Sequence, residues 1–252
     1  METSALQHKI ALVTGVGRRA GIGAAICREI AKNGGDVFFT YWRQYDRETY
    51  SEISENDPAT VATELRQFGG RVGSVEIDLS AFDSSERLFQ AVESNLGAPA
   101  ILINNACHDF EVPFLELSAE ILDKHYFVNV RAVAMLCKEF VKRGKAGHII
   151  NMTSGQSLSS MGAHKISYTI AKAALEMLAP QLAPELAEHG ISIYALDPGP
   201  TDTGWMTDEL KEQVRKESKR GRVNTPGDIA RLVVSILTER KYRTGEVIRA
   251  ER

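Results

Sequence analysis

Short apolar runs alternate along the chain with longer stretches of helical periodicity. The run KIALVTG (9–15) precedes a helical pattern, GIGAAICREIAKNG (21–34), that stops at Gly34 and Gly35. DVFFTY (36–41), a helix near 58–68, RVGSVEID (71–78) and a helix near 83–96 follow. AILINNA (100–106) leads into a long helical pattern over roughly 119–143, and GHIINMTS (147–154) into another that reaches about His189. ISIYALDPG (191–199) and GEVIRA (245–250) are the last strand candidates. Strand then helix, repeated, predicts parallel strands with crossover helices on both faces. Runs such as ILI and HII are apolar without alternation, as in strands covered on both sides. No linker or internal break interrupts the pattern. The expectation is an α/β chain, one doubly wound parallel sheet of about seven strands flanked by helices, forming a single domain over 1–252. The polar stretch 42–58, WRQYDRETYSEISENDP, reads as a surface loop or short helix.

Composition narrows the function. The 252 residues are 43% hydrophobic and 25% charged, enough to bury a full core. The net charge of -3 calls for no nucleic-acid partner. The start, METSALQHK, lacks an apolar signal core, and no run is long enough to span a bilayer. A cytoplasmic protein with no membrane partner is expected. Three widely spaced cysteines, Cys27, Cys107 and Cys137, argue against a disulfide framework or zinc site, and the six histidines show no ligand spacing. No metal is expected.

The chemistry begins at TGVGRRAGIG (14–23). Gly15, Gly17, Gly21 and Gly23 lie between a strand and a helix start, where backbone N–H groups and a positive helix end can meet a phosphate. A glycine loop alone also serves as a tight turn. Its place after the first strand of a repeated strand–helix pattern favours a dinucleotide. An NAD site usually has a carboxylate at the end of the second strand. Here Tyr41 holds that position and Arg43 follows, with Asp36 too early to serve. With Arg18 and Arg19 in the glycine loop, the local charge suits a 2′-phosphate, so NADP(H) is preferred over NAD(H).

The second constellation is YTIAK (168–172). On a helix, Tyr168 and Lys172 share one face and can meet around a small ligand. An ammonium one turn away favours a phenolate and lowers the tyrosine pKa. Cys107 beside His108 admits a thiolate reading, but adjacency in sequence does not aim the two at each other. A small residue filling a strand end is the simpler account.

Taken in order, TG…GIG (14–23), IDLS (77–80), NNA (104–106), VNVRA (128–132), NMTS (151–154), YTIAK (168–172) and DPGPTDT (197–203) resemble the short-chain dehydrogenase/reductase family, in its classical subgroup, over nearly the whole chain. The likeness is greatest to the 3-oxoacyl-carrier-protein reductase type. The resemblance implies that Tyr168 is the catalytic acid, Lys172 holds the nicotinamide ribose and stabilises the phenolate, and Ser154 donates to the substrate oxygen. It implies that Asn129 positions a water in the proton relay. Gly15, Gly21 and Ile22 would meet the cofactor phosphates. Asp78 and Leu79 would flank the adenine, Asn105 and Ala106 the adenosine ribose, and Pro198, Gly199, Thr201 and Thr203 the nicotinamide amide. An NADPH-dependent carbonyl reductase or secondary-alcohol dehydrogenase is implied, assembled as a homotetramer or homodimer. A 3-oxoacyl thioester is the leading substrate. A polyol, sugar or other small hydroxy compound is the enzymatic alternative, and a non-catalytic nucleotide sensor the other.

The chain departs from the family at several points. The glycine loop has two extra residues, and Cys107 replaces a glycine. Pro180 and Pro184 should kink or break the helix carrying YTIAK, and the end GEVIRAER lacks a double glycine. The charged stretch 208–222 reads as a solvated helix that covers the substrate in the family. The substrate pocket falls to loops near 107–116, 155–166 and 204–222.

Overall fold

A computed structural model describes residues 5–50, 53–155, 163–239 and 241–250. Seven strands appear: β1 (Ile10–Val13), β2 (Asp36–Tyr41), β3 (Val72–Glu76), β4 (Ile101–Asn104), β5 (Gly147–Met152), β6 (Ile191–Asp197) and β7 (Val247–Arg249). They form one parallel sheet in the order β3-β2-β1-β4-β5-β6-β7. The helices are α1 (Ile22–Lys32), α2 (Arg43–Thr49), α3 (Asp57–Arg66), α4 (Ser84–Asn95), α5 (Ala119–Tyr126), α6 (Ala132–Lys142), α7 (Ile166–Glu188), α8 (Asp208–Glu217) and α9 (Pro226–Thr238). The expected sheet is thus the observed one.

Strand side chains alternate between faces, so one buried strand serves two cores. Val13, Val37, Phe39, Ile101 and Ile150 pack with α1, α3 and α9 on one side. Leu12, Phe38, Leu102, Ile149 and Ile193 pack with α4, α6 and α7 on the other. This double burial is why the strand runs lack polar alternation. Asp36, at the start of β2, takes Arg71 N–H at 2.7 Å and its guanidinium at 2.7 Å, tying β2 to the approach of β3. Its role is structural.

β1 pairs with β2 on one side and β4 on the other. The chain crosses one way from β1 through β3 and the other way from β4 onward. The loops after β1 and β4 therefore part and leave a crevice at the strand ends.

Two helical expectations change. The pattern over 119–143 is not one α-helix. A π-helical turn, Phe127–Arg131, separates α5 from α6. One extra residue per turn re-aims the side chains within it, and such turns cluster at functional sites.

The expected break at Pro180 and Pro184 does not occur, and α7 is continuous through both. Its buried residues are Ser167, Ala171, Lys172, Leu175, Ala179, Ala183 and Leu186, while both prolines face solvent. The carbonyls left without a donor are those of Glu176 and Pro180, four residues earlier, and water can satisfy them on that face. Packing of the opposite face onto the sheet holds the helix together.

Pro180→Ala or Pro184→Ala should return an N–H to the ladder. Each should stabilise the fold by about 1 kcal/mol or more, the helix-interior cost of proline less the restraint it placed on the unfolded chain. The measurement is the urea midpoint; lower midpoints for both variants would overturn this account.

Candidate active site

The crevice is held open by short polar contacts between β1 and β4. Thr14 Oγ1 accepts the N–H groups of Asn105 and Ala106, each at 3.0 Å. Asn105 Nδ2 donates to the carbonyls of Thr14 (2.9 Å) and Gly15 (3.0 Å). Gly15 has φ 74°, and a Cβ there would stand 2.5 Å from Ala106 Cα. Only glycine permits that approach. A Cβ on Gly23 would meet Asn105 Nδ2 at 2.6 Å. Gly21 begins α1 with no side-chain cap, so the helix N-terminus opens toward the crevice.

The resulting groove has a volume of about 360 Å³. Gly15, Arg18, Gly21, Ile22, Tyr41, Asp78, Leu79, Asn105, Ala106 and Thr203 line it. Uncapped helix N–H groups, glycines where a Cβ would fill the cradle, and a carboxylate with apolar neighbours fit a nicotinamide dinucleotide chemically.

Arg43 and Arg19 do not join them. Arg43 is 4% exposed. Its guanidinium donates to Asp46 Oδ2 and Gly17 O, each at 2.8 Å, and to Ser54 O at 2.9 Å. A Cβ on Gly17 would lie 2.1 Å from Asp46 Oδ2, so glycine, arginine and aspartate interlock there. Burial raises the Asp46 carboxyl above its usual range, with Arg43 opposing. Arg19 turns outward to Glu64 and bonds Asp57 through its N–H. The expectation that either meets a 2′-phosphate is corrected: both charges are spent on carboxylates that the sequence alone did not assign to them.

Arg18 remains in the groove. Its guanidinium stacks 3.7 Å from the centroid of Tyr50 and donates to Thr203 O (3.2 Å) and Oγ1 (3.3 Å). It thereby links the glycine loop to the loop after β6. In that second loop Gly199 has φ 61° and donates to Asp197 Oδ1 at 2.8 Å. Thr201 Oγ1 donates to the carbonyls of Pro198 and Gly199. Pro198, Gly199 and Thr201 shape the turn that presents Thr203 to the groove.

The YTIAK segment lies on the first turns of α7. Lys172 is 3% exposed and donates to Met152 O at 2.9 Å, which fixes it beneath the end of β5. Its Nζ lies 5.7 Å from the Tyr168 ring centroid. Part of the Tyr168 ring is open, but the hydroxyl is deep. Burial pushes its pKa well above the ordinary range, Cys107, Asp109 and Asp197 add to this, and a hydrogen bond with Ser154 opposes it. Ser154, Tyr168 and Lys172 are thus brought together beside Cys107, which lines the groove, although none of the three is itself part of the groove wall. Residues 156–162, in the expected pocket segment 155–166, lie outside the described residues.

Asn129 occupies the middle of the π turn, fully buried. Its Oδ1 accepts His108 N–H and its Nδ2 donates to His108 O, both at 2.8 Å. The side chain therefore holds the loop after β4. Cys107 is no thiolate. Burial raises its pKa, with Lys172 opposing. His108 faces Tyr45 and His125, at centroid distances of 5.4 and 4.8 Å. Burial, then His125, lowers its pKa to about 4.

The sequence reading missed Tyr45, Tyr50 and His108, which line the groove. It also missed Lys165, beside Tyr168. The aromatic spacing in WRQYDRETY (42–50) was the available signal for the first two. Nothing local marked the others. Among the described residues no cluster of metal-ligating side chains occurs, and no helix is long and apolar enough to cross a membrane.

The chain is similar to known proteins over nearly its whole length. The short chain dehydrogenase family model matches residues 9–214. An oxidoreductase of Bacillus subtilis (strain 168), YjdA, is 38% identical over 251 residues, covering 97% of this chain and 96% of that protein. The 3-oxoacyl-[acyl-carrier-protein] reductase FabG of Aquifex aeolicus is 27% identical over 250 residues, covering 96% of each. The solved structure of the angucycline C-6 ketoreductase LanV with bound NADP superposes with a TM-score of 0.84 at 27% identity, covering 98% of this chain and 95% of that one. The chain belongs to the short-chain dehydrogenase/reductase family and is an NAD(P)-dependent oxidoreductase.

Proposed function

We propose that the chain reduces a ketone with NADPH, or oxidises the corresponding secondary alcohol, as a cytoplasmic homo-oligomer. The observation that carries the chemistry is the deep Tyr168 hydroxyl, bonded to Ser154 and flanked by Lys172, close to Cys107 of the groove wall. When bound, the nicotinamide supplies the hydride. Tyr168 delivers the proton to the carbonyl oxygen as negative charge grows there. Ser154, a neutral donor, holds the same oxygen without adding charge. Lys172 favours the phenolate that remains and is placed to hold the ribose. Asn129 serves by fixing the loop that carries Cys107 and Asp109. A 3-oxoacyl thioester is the leading substrate, as for the Aquifex relative. The ionic residues Asp109, Glu111 and Lys165 near Tyr168 favour a small polar hydroxy compound as the second reading. The grouped Ser154, Tyr168 and Lys172 speak against a non-catalytic sensor.

For the cofactor, NADP(H) is proposed, with Arg18 in place of Arg43 as the partner of the 2′-phosphate. Two features support this. β2 ends in Tyr41 without a carboxylate, and the Asp46 carboxylate is compensated by Arg43. LanV binds NADP in its solved structure. For assembly, Leu122 and Tyr126 on α5 and Ile170 and Met177 on α7 are exposed and apolar, and a second copy would cover them. A dimer or tetramer is proposed.

Tyr168→Phe should lower kcat by about 100-fold or more while NADPH affinity stays near that of the wild type. Lys172→Met should damage both. Near-normal turnover by the phenylalanine variant, measured by NADPH oxidation across a ketone panel, would overturn the mechanism. The wild type should prefer NADPH by at least about tenfold in kcat/KM, or about 1.4 kcal/mol. Arg18→Ala should shrink that ratio, whereas Arg43→Ala should lower the melting temperature and leave the ratio nearly unchanged. Equal use of NADH by the wild type would end the cofactor proposal. Light scattering at micromolar concentration should report a dimer or tetramer, and a monomer would reject the assembly.

A further inference from the structure

Tyr168 stands between two lysines. Lys172, four residues later, and Lys165, three residues earlier, each place Nζ 5.7 Å from its ring centroid. The two are held differently. Lys172 bonds a main-chain carbonyl, that of Met152. Lys165 is gripped by two carboxylates, Asp109 Oδ2 at 3.1 Å and Glu111 Oε1 at 2.5 Å, with its side chain 15% exposed. Although burial opposes it, these bonds hold the Lys165 ammonium above its ordinary range.

The loop that carries Asp109 is fixed through three consecutive amides, each taken by a different side chain. His108 N–H goes to Asn129 Oδ1 at 2.8 Å, Asp109 N–H to the Tyr45 hydroxyl at 3.2 Å, and Phe110 N–H to His125 Nε2 at 3.1 Å. His125 is 1% exposed, and its Nδ1 bonds Ile121 O at 2.8 Å, so the ring is the neutral tautomer whose Nε2 accepts. A surface loop that only closed a turn would need none of these. The second carboxylate oxygen, Asp109 Oδ1, is buried with no hydrogen-bond partner among the described residues. Its charge is therefore only partly compensated, beside a deep phenol.

We infer that the Asp109–Lys165 ion pair tunes Tyr168: its two members are positioning residues that act through the phenol and set the pH range over which it keeps its proton. This rests on Tyr168 being the proton donor. The other groups around the phenol differ in kind. Cys107, on the same loop, is held neutral by burial. Ser154, after β5, is a neutral hydrogen-bond partner. Asp197, at the end of β6, is charged but accepts the Gly199 N–H that shapes the turn. Lys172, on α7, belongs to the proposed relay. Asp109 and Lys165 are the charges that can be altered without touching that relay or that turn.

The sign follows from electrostatics. Ketone reduction needs the protonated phenol, so its rate falls at alkaline pH as Tyr168 ionises. A nearby carboxylate resists that ionisation. Asp109→Asn should therefore move the alkaline limb of kcat/KM to lower pH. Lys165→Met leaves Asp109 without its cation and Glu111 facing only His164, at 3.6 Å, and should move the limb to higher pH. Each shift should be about half a pH unit, reduced from the buried-pair range because Asp109 is partly exposed. Lys165→Arg should restore the wild-type limb, and the double variant should lie between the singles.

A second readout needs no substrate. The phenolate absorbance of each protein, with NADP⁺ added, is titrated against its own Tyr168→Phe counterpart, and the midpoints should move in the same two directions. Limbs and midpoints that stay put in both single variants, even with kcat reduced, would show a merely structural pair and overturn the inference. Shifts of the same sign in both variants would overturn it too. A wild type that reduces no ketone would instead overturn the proposed function, leaving the absorbance titration to decide on the pair.

Discussion

The site depends on one close approach, that of Gly15 to Ala106. The order of strand addition reverses between β1 and β4 in the parallel sheet, and the loops leaving the two strands must part to form a crevice while the strands stay registered. Thr14 and Asn105 provide the registration with four hydrogen bonds between the strand ends. Glycine removes the side chain that would collide. Because β4 is locked there, the loop leaving it begins at a defined point, and Cys107, His108 and Asp109 follow within three residues. The cofactor groove and the surroundings of Tyr168 are thus set by the same few contacts. A shift of the Thr14–Asn105 register would be felt at both.

Charge in this region is largely cancelled in place. Arg43 with Asp46, Arg19 with Glu64, and Lys165 with Asp109 and Glu111 each neutralise a group that would otherwise bias the groove or the phenol. Burying a charge costs less when its partner is hydrogen-bonded to it. Gly17 stands against Asp46, whose carboxylate pairs with Arg43, while Arg18 lines the groove.

The strands and the order of the motifs were legible because each rests on local pattern. Unbroken apolar runs mean burial on two faces, and glycines after a strand mean close backbone approach. The Tyr168–Lys172 spacing was legible because helical geometry alone brings the pair together. Arg43 turns inward because Asp46, three residues on, is joined by the carbonyls of Gly17 and Ser54; helical spacing offers the first partner, but local charge counting cannot see the other two. Pro180 and Pro184 were misread because a proline's cost depends on which face it occupies, and tertiary packing decides that. The π turn left no mark in composition. Its consequence, an Asn129 side chain aimed at the backbone of His108, appears only once the loop after β4 is folded.

Helix α7 and its N-cap residue carry Tyr168 and two lysines in eight residues, at spacings of three and four. Both spacings place a side chain on the same face, so an isolated helix would offer Tyr168 two nearly equivalent cations. The sheet makes them unequal. The end of β5 offers Lys172 a neutral carbonyl and leaves its charge uncompensated by that contact. The loop after β4 offers Lys165 two carboxylates. Lys165 is thus held by the acids beside it, whereas Lys172 meets only a main-chain dipole in that contact. What makes the two lysines differ is therefore the neighbouring strands and loops rather than distance along the helix.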